Sequence, residues 1–310
     1  MILTLTLNPC IDKTIYLDEL TVGSYNRVKS TREDLAGKGL NVSIVLNHLG
    51  EDTLCMGFNF KSNGHLLRQL LDRQGVRHDF LLEEGAIRTN IKLFDRSCQV
   101  MTEINEAGPQ VCRTAVEQLL QDLEAALEHT DILVMSGSIP PGVPTDIYQR
   151  LIKMANDKQV KTVLDAAGEP LLLALKEKPY LIKPNTLEFE QAFQAERERG
   201  MDTLEIARQA VRSGIPYLCL SMGAEGAMLI DSDHAYQAKP LPLKPKGLTG
   251  AGDSMVAGLC YAICKGLESE DMLRYAMAAA GGSIRQEGTI LAGKNDIEEL
   301  LPLVEIQTLY

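Results

Sequence analysis

No run of about 18 apolar residues occurs in this chain, which excludes a membrane-spanning helix. Residues 1–10, MILTLTLNPC, carry no basic stretch ahead of an apolar one, so they read as a strand and not as a secretory leader. Paired cysteines are missing as well. The seven cysteines (Cys10, Cys55, Cys98, Cys112, Cys219, Cys260 and Cys264) are odd in number and form no CxxC. They read as scattered core thiols in a reducing, cytoplasmic compartment. Cys260 and Cys264 fall on one helix face and read as small apolar fillers, not ligands. The five histidines show no ligand spacing and HExxH is absent, which argues against zinc. Positive charge is scarce: 31 Lys and Arg against 42 Asp and Glu leave a net charge of −11. That balance excludes a broad surface for nucleic acid or anionic membrane. An acidic protein that binds an anion must gather its cations locally, so single Lys and Arg residues in glycine loops gain weight.

Several familiar motifs are absent too. There is no GxxxxGK ending in Ser or Thr, so the chain is not a P-loop enzyme. The protein-kinase catalytic loop and DFG are missing. GxGxxG is missing, which argues against a dinucleotide-dependent dehydrogenase. Ser136-Gly137-Ser138 is not embedded in GxSxG, which leaves a serine hydrolase as a remote alternative.

What is present is rhythm. At 310 residues, with 45% hydrophobic and 24% charged residues, the chain can bury a large core without staples. Residues 2–7 alternate apolar and polar and stop at Asn8-Pro9, a first strand that delivers a loop carrying Asp12. Short strands are expected at 16–20 and 28–31, a helix at 42–49, a strand at 53–58 and a helix at 65–74. Residues 76–82, 87–94 and 99–104 are strand-rich, and some of them are assigned to a lid. Helices are then expected at 114–128, 145–157, 170–176, 187–194 and 203–212, between strands at 132–135, 160–164, 180–182 and 217–221. A hairpin at 227–230 and 234–238 follows, then helices after Asp253, at 269–280 and at 296–300. Alternating strands and helices mean right-handed βαβ units and a mostly parallel sheet covered on both faces. No repeat or linker interrupts it. The expectation is one α/β domain over 1–310, with a small β lid from about 12–34 and 87–106. Ligands in such sheets bind beyond the carboxyl ends of the strands. Asp12, the 136–142 turn, Lys183 to Asn185, and Ser221 to Gly226 should therefore converge.

Several short segments carry candidate chemistry. In Gly250-Ala251-Gly252-Asp253, small residues enter an amphipathic helix whose first amides are free to bind an anion. Asp253 is the odd member. It is either a first-turn capping acid or a base that takes a proton from an attacking hydroxyl. Lys38, between Gly37 and Gly39, reads alone as a solvated loop lysine, and Arg88 as an exposed arginine at a strand start. Asn185 and Glu188 read as a capping box, and Ser221, Gly223 and Gly226 as a turn.

Taken together, Asn8-Pro9-Cys10-Ile11-Asp12, Gly37-Lys38-Gly39-Leu40-Asn41, Lys183-Pro184-Asn185 with Glu188, and Gly250-Ala251-Gly252-Asp253-Ser254 resemble the PfkB-type sugar kinases of the ribokinase superfamily. Order and spacing match over nearly the whole chain. Arg88-Thr89-Asn90 and the 136–142 turn resemble the branch acting on sugar phosphates: 1-phosphofructokinase, tagatose-6-phosphate kinase and the minor 6-phosphofructokinase. The resemblance implies a ribokinase-like three-layer α/β/α fold with a small β lid. It implies Asp253 as general base, with the amides of Gly250, Ala251 and Gly252 binding the moving phosphoryl group. Asp12 would hold sugar hydroxyls, with Gly37, Lys38, Gly39, Asn41 and Ser136 lining the pocket. Lys38 and Arg88 would clamp the phosphate already on the sugar. Lys183, Asn185, Ser221, Gly223 and Gly226 would face ATP, and Glu188 would hold Mg²⁺ through water. Some members also hold a monovalent cation. The expected reaction is phosphorylation of a ketohexose phosphate, with fructose 1-phosphate ahead of tagatose 6-phosphate and fructose 6-phosphate. A non-catalytic sugar-phosphate sensor is the alternative from another class. A homodimer through the lid is the expected assembly. Two segments depart from the family pattern: the bulky 58–64 loop, from which Asn59 or Lys61 could reach the sugar, and Gly247-Leu248 before the glycine motif.

Overall fold

The computed structural model describes every residue of the chain except Leu248, so the lead-in to the glycine motif lies partly outside the described residues. The chain opens with β1 (Ile2–Thr6), β2 (Cys10–Leu17), β3 (Ser30–Ala36) and α1 (Lys38–His48). It continues with β4 (Thr53–Phe60), α2 (His65–Arg73), β5 (Arg77–Glu83), β6 (Arg88–Asp95) and β7 (Val100–Asn105). Strands and helices then alternate: α3 (Arg113–Ala126), β8 (Ile132–Ser136), α4 (Ile147–Asp157), β9 (Lys161–Asp165), α5 (Gly168–Leu175) and β10 (Leu181–Ile182). Next come α6 (Thr186–Ala192), α7 (Gln194–Glu198), α8 (Thr203–Arg212), β11 (Tyr217–Ser221), β12 (Ala227–Ile230) and β13 (Ala235–Ala238). The chain closes with α9 (Ala251–Lys265), α10 (Ser269–Ile284), α11 (Lys294–Leu300) and β14 (Ile306–Thr308).

The main sheet has ten strands in the order β14-β13-β12-β11-β10-β9-β8-β1-β4-β5. From β11 to β5 every neighbouring pair is parallel, and β12, β13 and β14 extend it antiparallel. β1 sits between β4 and β8, and chain order runs away from it on both sides. That is a topological switch point, where a crevice opens beyond the carboxyl ends of the strands.

The alternation in residues 2–7 does not mean a half-exposed strand. All of β1 is buried, because both faces are covered. Its two threonines are satisfied in place: the Thr4 hydroxyl lies 2.6 Å from that of Ser43, and Thr6 Oγ1 lies 3.9 Å from Cys55 Sγ. Buried hydroxyls are tolerated only with such partners.

The second sheet has four strands, in the order β3-β2-β6-β7. β2 and β6 are parallel, with Cys10 opposite Arg88 and Asp12 opposite Asn90. Asp12 was expected in a loop, but β2 begins at Cys10 and places it inside a strand. α1 likewise begins earlier than its apolar pattern suggests, so Gly39 and Asn41 are helical, and Gly37 alone caps the helix. A Cβ on Gly39 would stand 2.4 Å from the Leu5 carbonyl oxygen and 2.5 Å from Thr6 Oγ1. Gly39 is therefore a packing residue that lets α1 press on β1. The edge strand β14 escaped the sequence reading because three residues carry no periodicity. Among the described residues, no helix is long and apolar enough to cross a membrane.

Gly39→Ala should lower stability by about 1–3 kcal/mol through overpacking. A urea midpoint measured on the purified variant checks this. An unchanged midpoint would return Gly39 to the ligand pocket.

Candidate active site

The carboxyl ends of β1, β8, β9, β10 and β11 open on a cleft of about 630 Å³. Three helix N-termini supply its floor: α1 at Lys38, α6 at Asn185 and α9 at Gly250. First-turn amides and aligned helix dipoles favour negative charge there. Gly250 caps α9 with φ of 81°, a left-handed conformation that few side chains accept. The turn it makes sends α9 into the cleft amino end first.

At the centre stands a residue that the sequence reading missed. Asp165, the last residue of β9, is almost wholly buried. Its Oδ2 accepts from Lys38 Nζ at 3.1 Å and from Ser136 Oγ at 3.1 Å. Lys183 Nζ lies 3.3 Å from Oδ1, close enough to pair as ions, yet Oδ1 accepts no aligned hydrogen bond. Burial alone would raise its pKa, but the Lys183 and Lys38 ammonium groups hold it down to about 2. A lone aspartate after an apolar strand carries no motif. Only the rule that ligands gather at strand ends could have singled it out.

Asp253, also buried, lies in the first turn of α9, and its Oδ2 accepts from Asn41 Nδ2 at 2.7 Å. Burial pushes its pKa up to about 6. Lys38 opposes that rise, the Asp165 charge adds to it, and Asn41 and Lys183 oppose it further. Burial acts in the opposite direction on Lys38, but Asp165, Asp253 and Glu188 together raise its pKa. Lys38, at the start of α1, thus reaches across the end of β9 to pair with Asp165, while Arg88 lines the same cleft from β6.

Asp12 is buried at the other end of the cleft. It accepts from Asn90 Nδ2 at 3.1 Å and from Lys92 Nζ at 2.7 Å. Lys92 was not anticipated, because a lysine on a strand reads as a solvated face. Arg88 donates to Asn90 Oδ1, to the Glu106 carbonyl and to Ser138 Oγ at 2.8–3.2 Å, while its buried Nε has no partner. Burial, then Asp12, pushes the neighbouring Cys10 thiol up to about 12, so it is neutral.

Of the expected site residues, Asp12, Gly37, Lys38, Asn41, Arg88, Ser136, Lys183, Asn185, Glu188, Ser221, Gly250, Gly252 and Asp253 line this one cleft. Gly39, Ala251, Gly223 and Gly226 do not. Ala251 opens α9. Gly223 is exposed, and Gly226 closes the β11–β12 turn by accepting from the Met222 amide at 2.8 Å. Ser136 directs its hydroxyl to Asp165. Asn185 and Glu188 do form the capping box: each accepts the other's amide at 2.9 Å, with both still facing the cleft. Asn59 is buried and ties Gly64 to Phe60, while Lys61 pairs with Glu84 at the surface, so neither lines the cleft.

A model of the pfkB family of carbohydrate kinases matches residues 5–296. The chain belongs to this family. It is 33% identical over 309 residues to the 1-phosphofructokinase of Vibrio cholerae, across 100% of this chain and 97% of that protein. The 1-phosphofructokinase of Escherichia coli K12 is 32% identical over 304 residues, covering 98% and 97% of the two chains. Among solved structures, phosphofructokinase-2 of E. coli in complex with substrates and products superposes with a TM-score of 0.88. It is 26% identical, with 97% of this chain and 98% of that chain covered. The same protein in complex with potassium gives 0.86. The pfkB chain described here shares their mostly parallel sheet flanked by helices.

The raised pKa of Asp253 has a cost. Between its unfolded value of 3.8 and about 6 the native state keeps Asp253 protonated while the unfolded chain ionises, so the penalty grows with pH and is complete above about 6. Asp253→Asn keeps an acceptor for Asn41 and removes that charge. The variant should therefore be more stable than wild type by about 1–3 kcal/mol at pH 8, with the gain gone near pH 4. Urea unfolding at the two pH values reads the difference. A variant less stable at pH 8 would show that Asp253 is well solvated.

Proposed function

We propose that this protein transfers the γ-phosphoryl group of MgATP to fructose 1-phosphate, giving fructose 1,6-bisphosphate and MgADP. The observation that carries this reading is Asp253: a buried carboxylate of raised pKa at a helix N-terminus, in one polar, sugar-sized cleft with three lysines. The full-length likeness to 1-phosphofructokinases favours fructose 1-phosphate as acceptor.

In this reading Asp12 takes hydroxyls of the sugar, and Arg88 with Ser138 takes its existing phosphate. A guanidinium with an unpartnered Nε is suited to that charge-assisted contact. The acceptor hydroxyl lies against Asp253. Its oxygen attacks the γ-phosphorus, the bond to the β–γ bridging oxygen breaks, and the proton passes to Asp253. ADP leaves with the electron pair. Protein groups mainly position the reactants and offset charge in such a transfer. Lys38, Lys183 and the first amides of α9 supply positive charge where the phosphoryl group moves.

Magnesium arrives as part of the nucleotide substrate. Among the described residues, no group of three or more His, Cys, Asp or Glu side chains is placed to hold a metal ion. Glu188, half-buried on the rim, and Asp165, with one oxygen lacking a hydrogen bond, suit an ion that keeps its water and arrives on the phosphates. A monovalent cation remains part of the proposal only by likeness to the potassium complex of phosphofructokinase-2. All seven cysteines are free, which fits a cytoplasmic protein.

The edge strand β7 of the four-stranded sheet leaves Val100 and Ile104 exposed on one face. A homodimer through this face completes the reading. Ile104→Glu should weaken it at least about tenfold through a buried unpaired charge, read by light scattering across a dilution series. A wild-type monomer at every concentration would sink the dimer.

Coupled ADP release over fructose 1-phosphate, tagatose 6-phosphate, fructose 6-phosphate and free sugars tests the acceptor. Fructose 1-phosphate should give the highest kcat/KM. Binding without turnover across the panel would instead favour a sensor. Asp253→Asn should lower kcat by about two orders of magnitude or more, with substrate affinity changed only a few-fold. In the wild type, kcat/KM should fall about tenfold per pH unit below the Asp253 pKa of about 6. A profile flat to pH 5 would remove Asp253 from the base role. Arg88→Ala should raise KM for the sugar phosphate, whereas Lys38→Met should mainly lower kcat.

A further inference from the structure

Lys92 stands on β6, in the four-stranded sheet, with its side chain almost fully withdrawn from solvent. A lysine is seldom so buried unless its charge is used. Its ammonium has three donors and no acceptor. One donor goes to Asp12 Oδ2 at 2.7 Å. Another goes to Thr249 Oγ1 at 3.0 Å, across 157 residues of chain. Thr249 immediately precedes Gly250, the residue that caps α9. A single cation thus joins the sugar-side carboxylate of one sheet to the loop that aims Asp253 from the other unit of the fold.

The neighbouring contacts do not duplicate this link. Asn90 holds the second oxygen of Asp12 but reaches only back to Arg88, within the same sheet. Asn41 holds Asp253 from α1. Asp12 hangs from β1 through residues 7–9, so its distance from the α9 amino end is not fixed by β-ladder hydrogen bonds alone. Phosphoryl transfer depends on sub-ångström placement of acceptor hydroxyl, base and phosphorus, and a displacement of about 1 Å can cost about a hundredfold in rate.

We propose that Lys92 is a positioning residue, bridging Asp12 and Thr249 so that a sugar seated on Asp12 presents its hydroxyl to Asp253. This rests on the phosphotransferase reading above for its effect on turnover, but the bridge itself exists in the free protein and is tested there. Lys92 acts through Asp12 and Thr249 and needs no contact with the moving phosphoryl group.

The test pairs Lys92→Met with Thr249→Val. The first removes the cation at nearly constant length. The second removes only the hydroxyl acceptor and leaves the Asp12 pair intact, so it reports even if Lys92→Met fails to fold with an unpaired buried carboxylate. Amide exchange of the unliganded proteins is read first. Thr249→Val should speed exchange at Ser254 and Met255, whose amides close the first turn of α9, about tenfold or more and leave residues 259–263 in the interior of α9 unchanged. Equal acceleration along α9 would mean general destabilisation, and no change at Ser254 and Met255 would mean that the bridge holds nothing. Either outcome overturns the proposal whatever the substrate turns out to be.

Kinetics follow on whichever acceptor the wild type phosphorylates best. Thr249→Val should lower kcat about tenfold with KM for MgATP within about threefold, and Lys92→Met about a hundredfold. In the Lys92→Met background, Thr249→Val should add nothing, because the interaction is already gone. Fully additive losses would overturn the proposal. A wild type that turns over no sugar phosphate would sink the phosphotransferase reading alone, and the exchange result would still decide the bridge.

Discussion

One buried carboxylate organises the cleft. Asp165 ends a central parallel strand with its charge removed from water, a placement that costs several kcal/mol unless cations answer it. Two do, from opposite sides. Lys38 comes from the first turn of α1, and Lys183 from just beyond β10. Lys183 would not stand buried in an acidic protein without that anion, and Lys38, half-exposed on the cleft, is drawn over it. Through them, Asp165 sets where positive charge lies at the sheet edge, and through Ser136 it fixes the end of β8. Three strand ends and one helix therefore meet on a single side chain.

The same arrangement drives the two aspartates in opposite directions. Asp165 and Asp253 sit in similar burial, yet their pKa values move apart, to about 2 and about 6. The two ammonium groups lie directly on Asp165 and act on Asp253 from farther off, and the Asp165 charge itself pushes Asp253 upward. Titratable neighbours driven in opposite directions mark a division between fixed charge and proton acceptor. The stability withheld from the ionised Asp253 is what leaves it ready to take a proton near neutral pH.

The parts that were legible in the sequence share a physical cause. The α8 helix and the β11 and β12 strands fall where periodicity and turn residues put them, because long amphipathic or apolar runs bounded by caps leave few alternatives. Glycine-flanked segments gave most of the cleft, since small residues at strand ends are needed wherever backbone meets ligand. Asp165 and Lys92 were invisible for the opposite reason. Each is a lone charge in an ordinary strand pattern, and its meaning lies in partners 127 and 157 residues away. Gly39, Gly223 and Gly226 lie off the cleft lining, where a motif glycine serves packing or a turn.

The parallel pairing of β2 with β6 has a consequence for how the molecule is made. It joins residues 78 positions apart, across an intervening segment that itself belongs to the main sheet. Loop-closure entropy delays such pairings until the nearer ones have formed. The β1–β8 pairing at the centre of the main sheet, which joins Ile2 to Ile132, spans farther still, so the small sheet can close before the core beneath it does. A molecule caught with the small sheet undone would keep the end of β9, with Asp165 and its two lysines, and lose Asp12 from the cleft.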